Sequence, residues 1–372
     1  MKGILITSIA FSPNMGGIET HFDDLVNAIS KEGIKNWVLT YKPITTKVSA
    51  SFFEKRGEYT EIYRIPWISG IFYSLVKNSI VEFIYLVPGL FVALPILLLL
   101  KMDEIQTIHS HGLVAGFVSV FWGKIFGKKV ITTTHSIYNF PQKGMYKNFA
   151  QWIFDNSDTV LTLSKQSKEE IKGLGVKKGK IKSFTYWVNQ KIFKEIPNAK
   201  RTLGWLGKFI VFSAGRLVPE KGINELIEAS SNWNKNITLV VAGTGTLEQK
   251  IKKIKRDNFI YLGRKKNTEL PLYFSAADLF IIPSTHEEGF GRNILEALSC
   301  GTPVIGSSRG AISEAMNETV GKMIDISPHN IKKTVEYFYK NTDKLQRLSK
   351  NARHFAIKRY SEKNAETIIK TY

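Results

Sequence analysis

The strongest constraint on the fold of this 372-residue chain is an alternation along its whole length, in which short β-rich runs are separated by stretches long enough for helices. In the first half the runs are Ile4–Ser8, Trp37–Tyr41, Glu61–Ile65, Gln106–His109, Val130–Thr134 and Thr159–Leu163, with Ile181–Thr185 closing the set. In the second half they are Phe209–Ala214, Ile237–Ala242, Phe259–Leu262, Leu279–Pro283, Thr302–Ile305 and Lys322–Ile326. Near-continuous apolarity is what a strand needs when helices cover both faces of its sheet. The pattern predicts an α/β chain with two parallel sheets in series, and a composition that is 43% hydrophobic can supply a core to each.

The segment Tyr186–Lys208 mixes Asn189, Pro197, Asn198, Gly204 and Gly207 with many lysines, and marks the inter-domain connection. The domains are placed at residues 1–190 and 191–351. The tail from about 352 to 372 is a basic helix candidate (Ala352, Phe355, Ala356, Tyr360) with no strand after it, able to pack across either domain, including back on the first. Two further helices matter for function. Ile18, Phe22, Leu25, Val26 and Ile29 form one apolar stripe right after Gly16-Gly17, and Ile294, Leu295 and Leu298 follow Gly289-Phe290-Gly291, so both glycine-rich turns open a helix.

Fifty-two Lys and Arg against 32 Asp and Glu give a net charge of +20. Such a surface attracts polyanions: nucleic acid, anionic lipid headgroups or phosphorylated substrates. The single cysteine, Cys300, can form no internal disulfide and leaves no cysteine cluster for zinc, which suits a reducing, cytoplasmic setting. The N-terminus has too short an apolar run for a signal peptide and is taken as the first strand. Phe83–Leu100 carries no charge over 18 residues, broken by Pro88, Gly89 and Pro95. Three placements compete: a buried or interdomain helix, a helix dipped into one leaflet, and, least favoured, a membrane span, which would put two strands of one sheet on opposite sides of a bilayer.

Three motifs carry chemistry. In Glu288-Gly289-Phe290-Gly291-Arg292-Asn293-Ile294-Leu295-Glu296 the glycines allow close backbone approach, and the helix start offers unpaired N–H groups to an anion. Glu296, about a turn inside, can accept hydrogen bonds from vicinal hydroxyls, while Glu288 can reach another part of the same ligand. In Gly215-Arg216-Leu217-Val218-Pro219-Glu220-Lys221-Gly222, at the carboxyl end of a strand, Arg216 can fork onto phosphate oxygens and Lys221 adds a compact charge. In Pro13-Asn14-Met15-Gly16-Gly17-Ile18-Glu19-Thr20-His21 the backbone amides can hold a diphosphate from the other domain, or the segment is a mere tight turn.

Neither Gly16-Gly17 nor Gly243-Thr244-Gly245 completes a dinucleotide fingerprint, and no Walker A sequence is present. His109-Ser110-His111 and Thr133-Thr134-His135-Ser136 sit just past strand ends, where they are expected either to rim a cleft or to be structural. Histidine pairs without acids or cysteines make a poor metal site, so no metal is expected. With no Asp-x-Asp pair to bridge a divalent ion, leaving-group charge falls to Arg216, Lys221 and backbone dipoles.

With these residues in hand, the chain resembles the retaining glycosyltransferases of the GT-B fold, family 4, over essentially its whole length. The resemblance rests on PNMGGIETH, IHSHG, TTTHS, GRLVPEKG, VVAGTG, the LGR turn at Leu262–Arg264, EEGFGRNILEALSCGTPVI and SRGAISEA. PNMGGIETH with IHSH and HSIYNF looks like the branch acting on phosphatidylinositol or related lipids. The resemblance implies two Rossmann-like domains with parallel sheets facing across a cleft. It further implies that Arg216 and Lys221 bind a nucleotide diphosphate, Glu296 the ribose and Glu288 the transferred sugar. The Gly289, Phe290 and Gly291 amides would line the sugar, with Gly243 also on the donor. Gly16 and Gly17 would contact phosphate or the acceptor side, His135 the reacting region, and His111 the acceptor side. Two departures stand out: Tyr186-Trp187-Val188-Asn189 replaces the usual Asn-Gly-Val-Asp, and Arg309-Gly310-Ala311-Ile312-Ser313-Glu314 replaces a Gly-Gly-Ile-Pro-Glu run.

The expected function is a metal-independent transfer, with no cofactor, of a hexose or N-acetylhexosamine from a nucleotide-diphosphate sugar to a membrane lipid or lipid-linked saccharide. Retention, with the leaving phosphate oxygen taking the acceptor's proton, is implied by the resemblance. Glu288, His135, Arg216 and Lys221 are the catalytic candidates. The expected location is the inner face of the cytoplasmic membrane, held peripherally through Phe83–Leu100 and basic residues. A nucleotide-sugar epimerase or phosphorylase on the same fold is the alternative. A non-catalytic nucleic-acid-binding protein is more remote, because the basic residues are dispersed and no nucleic-acid module is recognisable.

Overall fold

The computed structural model describes residues 3–14, 16–44, 48–68 and 79–372, so Met15 of the Pro13–His21 motif lies outside the described residues. The chain forms two compact units, Met1–Tyr186 with Glu362–Tyr372, and Trp187–Ser361.

The first unit is built on β1 (Gly3–Thr7), β2 (Asn36–Tyr41), β3 (Phe53–Arg56), β4 (Thr60–Ile65), β5 (Ile105–His111), β6 (Lys129–Thr134), β7 (Thr159–Thr162) and β8 (Ile181–Ser183). They lie in the order β3-β4-β2-β1-β5-β6-β7-β8. All neighbours pair in parallel except β3, which runs antiparallel to β4 with Phe53 opposite Tyr63 and Arg56 opposite Thr60. This edge strand escaped the sequence reading because Phe-Glu-Lys-Arg alternates exposed and half-buried side chains and has no apolar run. The sheet reverses direction between β1 and β5, and such a switch point opens a crevice at the carboxyl ends of the strands. Gly16-Gly17 follow β1, and His109 and His111 end β5.

The second unit holds β9 (Phe209–Ala214), β10 (Ile237–Ala242), β11 (Phe259–Tyr261), β12 (Leu279–Ile282), β13 (Val304–Ser307) and β14 (Gly321–Ile324). The order is β11-β10-β9-β12-β13-β14, parallel throughout, with the switch between β9 and β12. Arg216 and Lys221 follow β9; Glu288 follows β12. The core between sheet and helices includes Val211, Leu239, Val241, Leu279, Ile281 and Ile305 from the strands and Leu226, Ile331 and Val335 from helices.

The boundary falls four residues earlier than expected because Trp187 is buried in the second unit. Its carbonyl accepts a hydrogen bond from Arg292 Nη1 at 3.1 Å, and the Val188 N–H donates to the Tyr360 carbonyl at 3.2 Å. The tail divides between the two units. The helix Thr342–Arg359 belongs to the second unit, where Ser349 Oγ donates to the Gly301 carbonyl at 2.7 Å, and only Glu362 onward returns to the first. In the helix Gly17–Lys31, Phe22, Leu25, Val26 and Ile29 are buried as the stripe requires, but Ile18 is exposed in its first turn.

Phe83–Leu100 lies within one 22-residue helix, Ser79–Leu100, that is long and apolar enough to cross a membrane by length and composition. It is not covered on every side, which corrects the fully buried placement. Leu86, Leu90, Leu94, Leu97 and Leu98 pack against Trp37, Leu39, Ile105, Ile108 and Val118, whereas Ile84, Val92, Ile96, Leu99 and Leu100 are exposed. A crossing is at odds with the sheet, since β1 and β5, before and after the helix, are direct parallel neighbours.

Candidate functional site

At the β9–β12 switch point of the second unit, Lys221 Nζ donates to Glu288 Oε1, which also accepts from Ser284 Oγ. The backbone forces this meeting. Lys221 ends a single turn of 3-10 helix, Pro219–Lys221, and Gly222 takes the left-handed conformation at φ 67°. A Cβ on Gly222 would stand 1.7 Å from the Pro283 carbonyl oxygen, so only glycine lets this turn lie against the end of β12. Three hydrogen bonds to the Glu220 carbonyl, from the Thr285 N–H at 3.0 Å, the Thr285 hydroxyl at 3.1 Å and His286 Nδ1 at 2.9 Å, complete the seam.

Glu288 is held from below as well. The Ala311 N–H donates to its carbonyl at 2.9 Å, and a Cβ on Gly310, at φ 60°, would sit 2.4 Å from both its backbone N and O. Burial opposes ionisation of the Glu288 carboxyl, but the charge and hydrogen bond of Lys221 and the Ser284 hydroxyl outweigh it and hold the group below its ordinary value. Burial also lowers the Lys221 ammonium; the Glu288 charge opposes this and the nearby Arg216 charge adds to it. The arrangement is a largely buried ion pair beside an exposed guanidinium.

The remaining candidates of this unit are placed unevenly. Glu296 lies in the helix Arg292–Ser299, buried, with Oε1 accepting from Arg292 Nε at 3.1 Å. Its carboxylate is thus held by a neighbour one turn back. The Phe290 ring is buried edge-on against Tyr360, so the side chain belongs to the core. Gly291 caps the helix in the left-handed conformation, and Gly289 is partly exposed. Gly243 packs against the Arg216 loop: a Cβ there would lie 1.8 Å from the Gly215 carbonyl oxygen.

Sequence reasoning missed Ser284, Arg292, Asn293 and Gly310. Asn293 donates through Nδ2 to the Ala214 carbonyl and ties the helix start to the end of β9. The four-residue spacing of Arg292 and Glu296 was the legible signal for that pair.

In the first unit, Gly16 and Gly17 are exposed at a helix start, with the Thr20 N–H and hydroxyl both donating to the Gly16 carbonyl. The histidines do not form a polar rim. His109, His111 and His135 are buried. His109 bonds the Tyr372 hydroxyl at 2.8 Å through Nδ1 and Thr133 Oγ1 at 2.7 Å through Nε2. His111 Nδ1 meets His135 Nε2 at 2.8 Å, and His135 Nδ1 meets the Tyr186 hydroxyl at 2.7 Å. Burial, helped by the His135 charge, lowers His109 to about 3. Burial alone lowers His135 to about 3. His111 falls well below its ordinary value through burial and then the charges of His109, His135 and His21. All three are neutral near pH 7. Among the described residues no group of three or more His, Cys, Asp or Glu is arranged to hold a metal ion.

Residues 15–184 match the family described as Glycosyltransferase Family 4, and residues 195–355 match Glycosyl transferases group 1. The chain is 25% identical over 383 aligned residues to an uncharacterised glycosyltransferase, MJ1178, of Methanocaldococcus jannaschii, covering 99% of this chain and 97% of that one. It is 23% identical to a phosphatidylinositol N-acetylglucosaminyltransferase subunit of Arabidopsis thaliana, covering 90% and 73% respectively. Its fold matches that of Anabaena HepE in complex with UDP with a TM-score of 0.77, at 20% identity and 99% coverage of both chains.

Proposed function

Because the chain belongs to the group 1 glycosyltransferases of the GT-B fold, we propose that it moves a hexose or N-acetylhexosamine from a nucleotide-diphosphate sugar to a membrane lipid or lipid-linked saccharide, with retention at the anomeric carbon and without a metal ion. The observation that carries this reading is the Lys221–Glu288 pair at the carboxyl edge of the second sheet, with Arg216 on the same loop.

Separating a sugar cation from a nucleotide diphosphate leaves negative charge on the departing oxygens. Lys221 and the Arg216 fork are the fixed cations that meet it, and charge stabilisation aimed at the leaving group lowers the barrier more than it favours the bound donor. With Lys221 shared between Glu288 and the diphosphate, the Glu288 carboxylate stays oriented by Ser284, its backbone backed by Gly310, and serves the sugar. His135, buried and neutral with both ring nitrogens engaged by His111 and Tyr186, supplies no charge. The exposed Gly16-Gly17 helix start offers its amides to phosphate or acceptor.

Three observations support the lipid acceptor and the inner face of the cytoplasmic membrane: the +20 charge, the exposed apolar helix face, and similarity to a protein named for phosphatidylinositol. The test is a panel of uridine and guanosine diphosphate sugars read by thermal unfolding, followed by incubation of the stabilising donor with lipid extract. A ligand at a hundredfold its dissociation constant adds about 2.7 kcal/mol. Stabilisation by one nucleotide sugar and a labelled lipid product are expected. No stabilisation by any donor refutes the donor reading, and a free epimerised sugar or sugar phosphate in place of glycolipid refutes the transfer.

A further inference from the structure

We infer that the exposed apolar faces of the helices Ser79–Leu100 and Gly112–Ile125 together form a surface that lies in one leaflet of an anionic bilayer, with the first helix parallel to the membrane plane. The inference deepens the membrane-acceptor reading by naming where the chain docks.

Along the first helix the exposed positions recur every fourth residue: Ile84 at 71%, Pro88, Val92 at 63%, Ile96 at 53% and Leu100 at 72%. At 1.5 Å per residue this ridge runs about 24 Å, and no charged side chain interrupts it. Its opposite face is already committed to the core, so the ridge is what remains for another partner. The surface continues sideways. The Phe91 and Phe121 rings are 5.0 Å apart, Trp122 Nε1 donates to the Phe91 carbonyl at 2.9 Å, and Ile125 beyond them is 60% exposed. Contiguous exposure on two packed helices exceeds the scattered apolar side chains that soluble surfaces ordinarily show.

Charge selects the occupant. Lys124 lies on the second helix and donates to the neutral Asn156 amide oxygen, and Lys128 donates to the Met102 carbonyl at 2.6 Å. Both ammoniums thus meet neutral oxygens at the edge of the apolar surface. Of the acidic groups by the end of the ridge, Glu104 is paired with Lys35 and Lys101, while Asp103 is exposed. A second copy of the chain would bring another +20 against these lysines, whereas an anionic leaflet lowers their energy as the ridge enters its acyl boundary.

Flotation with phosphatidylcholine vesicles, with and without phosphatidylglycerol, tests this on the full chain. Wild type should float with the anionic vesicles and weakly with the neutral ones. The triple variant Ile84→Gln, Val92→Gln, Ile96→Gln should lose at least about tenfold in partitioning, and Lys124→Glu with Lys128→Glu should lose the preference for anionic lipid. Unchanged thermal stabilisation by nucleotide diphosphate shows that the variants fold. Equal flotation of wild type and the triple variant overturns the inference, as does a light-scattering mass that falls from dimer to monomer in that variant with flotation unchanged. If wild type floats through this surface but no lipid accepts sugar, the docking surface stands and the acceptor reading falls. Glycosylation of detergent-dispersed lipid by a protein that floats with no vesicle upholds the acceptor reading and overturns the docking surface.

Discussion

Lowering the pH from about 7.5 to about 5.5 should destabilise the first unit through its buried histidines. An ordinary histidine near 6.5 is charged in the unfolded chain at the lower pH, while His109 and His135, held at about 3 in the fold, stay neutral. The unfolded state then binds more protons, so stability is complete above the unfolded value and is lost as pH falls through it toward the folded one. The two together contribute about 3 kcal/mol of loss over this interval, and His111, also held well below its ordinary value, adds to it in the same direction. Urea unfolding with pulsed hydrogen exchange measures this, read on peptides 105–111 and 129–134, because a chain of two units need not unfold as one. His135→Gln should weaken the pH dependence. A first unit whose urea midpoint is the same at both pH values, or whose dependence survives that substitution intact, would refute the neutral-histidine reasoning.

Three further outcomes follow from the contacts. Lys221→Ala should cut turnover by orders of magnitude and, by leaving the Glu288 carboxylate buried without its cation, lower the stability of the second unit by about 3 kcal/mol; steady-state kinetics and calorimetry check both, and near-normal activity removes Lys221 from the mechanism. Gly310→Ala places a Cβ against the Glu288 backbone, so donor affinity should fall although residue 310 bears no functional group; calorimetric titration with the nucleotide sugar checks it, and unaltered affinity counts against the supporting role. Tyr186→Phe removes the hydroxyl on His135 Nδ1 and should cost about 1 kcal/mol in thermal unfolding, with no cost if that hydrogen bond is unimportant.

The parallel strands were legible because helices on both sides force apolar runs, and Phe209–Ala214 and Ile237–Ala242 match the strands residue for residue. The β3 edge strand was not, since its pairing with β4 leaves one side to solvent and asks nothing distinctive of Phe-Glu-Lys-Arg. In the site, Lys221 and Glu288 were legible as charged residues at strand ends, where a switch point gives such residues something to do. That they contact each other was not, because it depends on the left-handed Gly222 turn bringing two loops together that lie 67 residues apart in the chain. The sequence left the histidines between a cleft rim and a structural role for a related reason: a strand end looks exposed in sequence, but Tyr186 and the returning Tyr372 cover this one.

The same close approaches tie the site of the second unit into one object. Gly243 lies against Gly215 and Gly245 against Leu217, which locks the β10 loop to the Arg216 loop. Gly222 lies against Pro283, which locks that loop to the Glu288 loop, and Gly310 locks the latter to the segment after β13. At each point the neighbour is main chain, which cannot swing aside as a long side chain would. A displacement at any one of these glycines must therefore move its partner loop, and the charges at Lys221 and Glu288 keep their separation only while the whole series is intact. Preorganisation of this kind keeps fixed charges from relaxing as the leaving group departs, and electrostatic catalysis depends on that rigidity more than on the number of charges present.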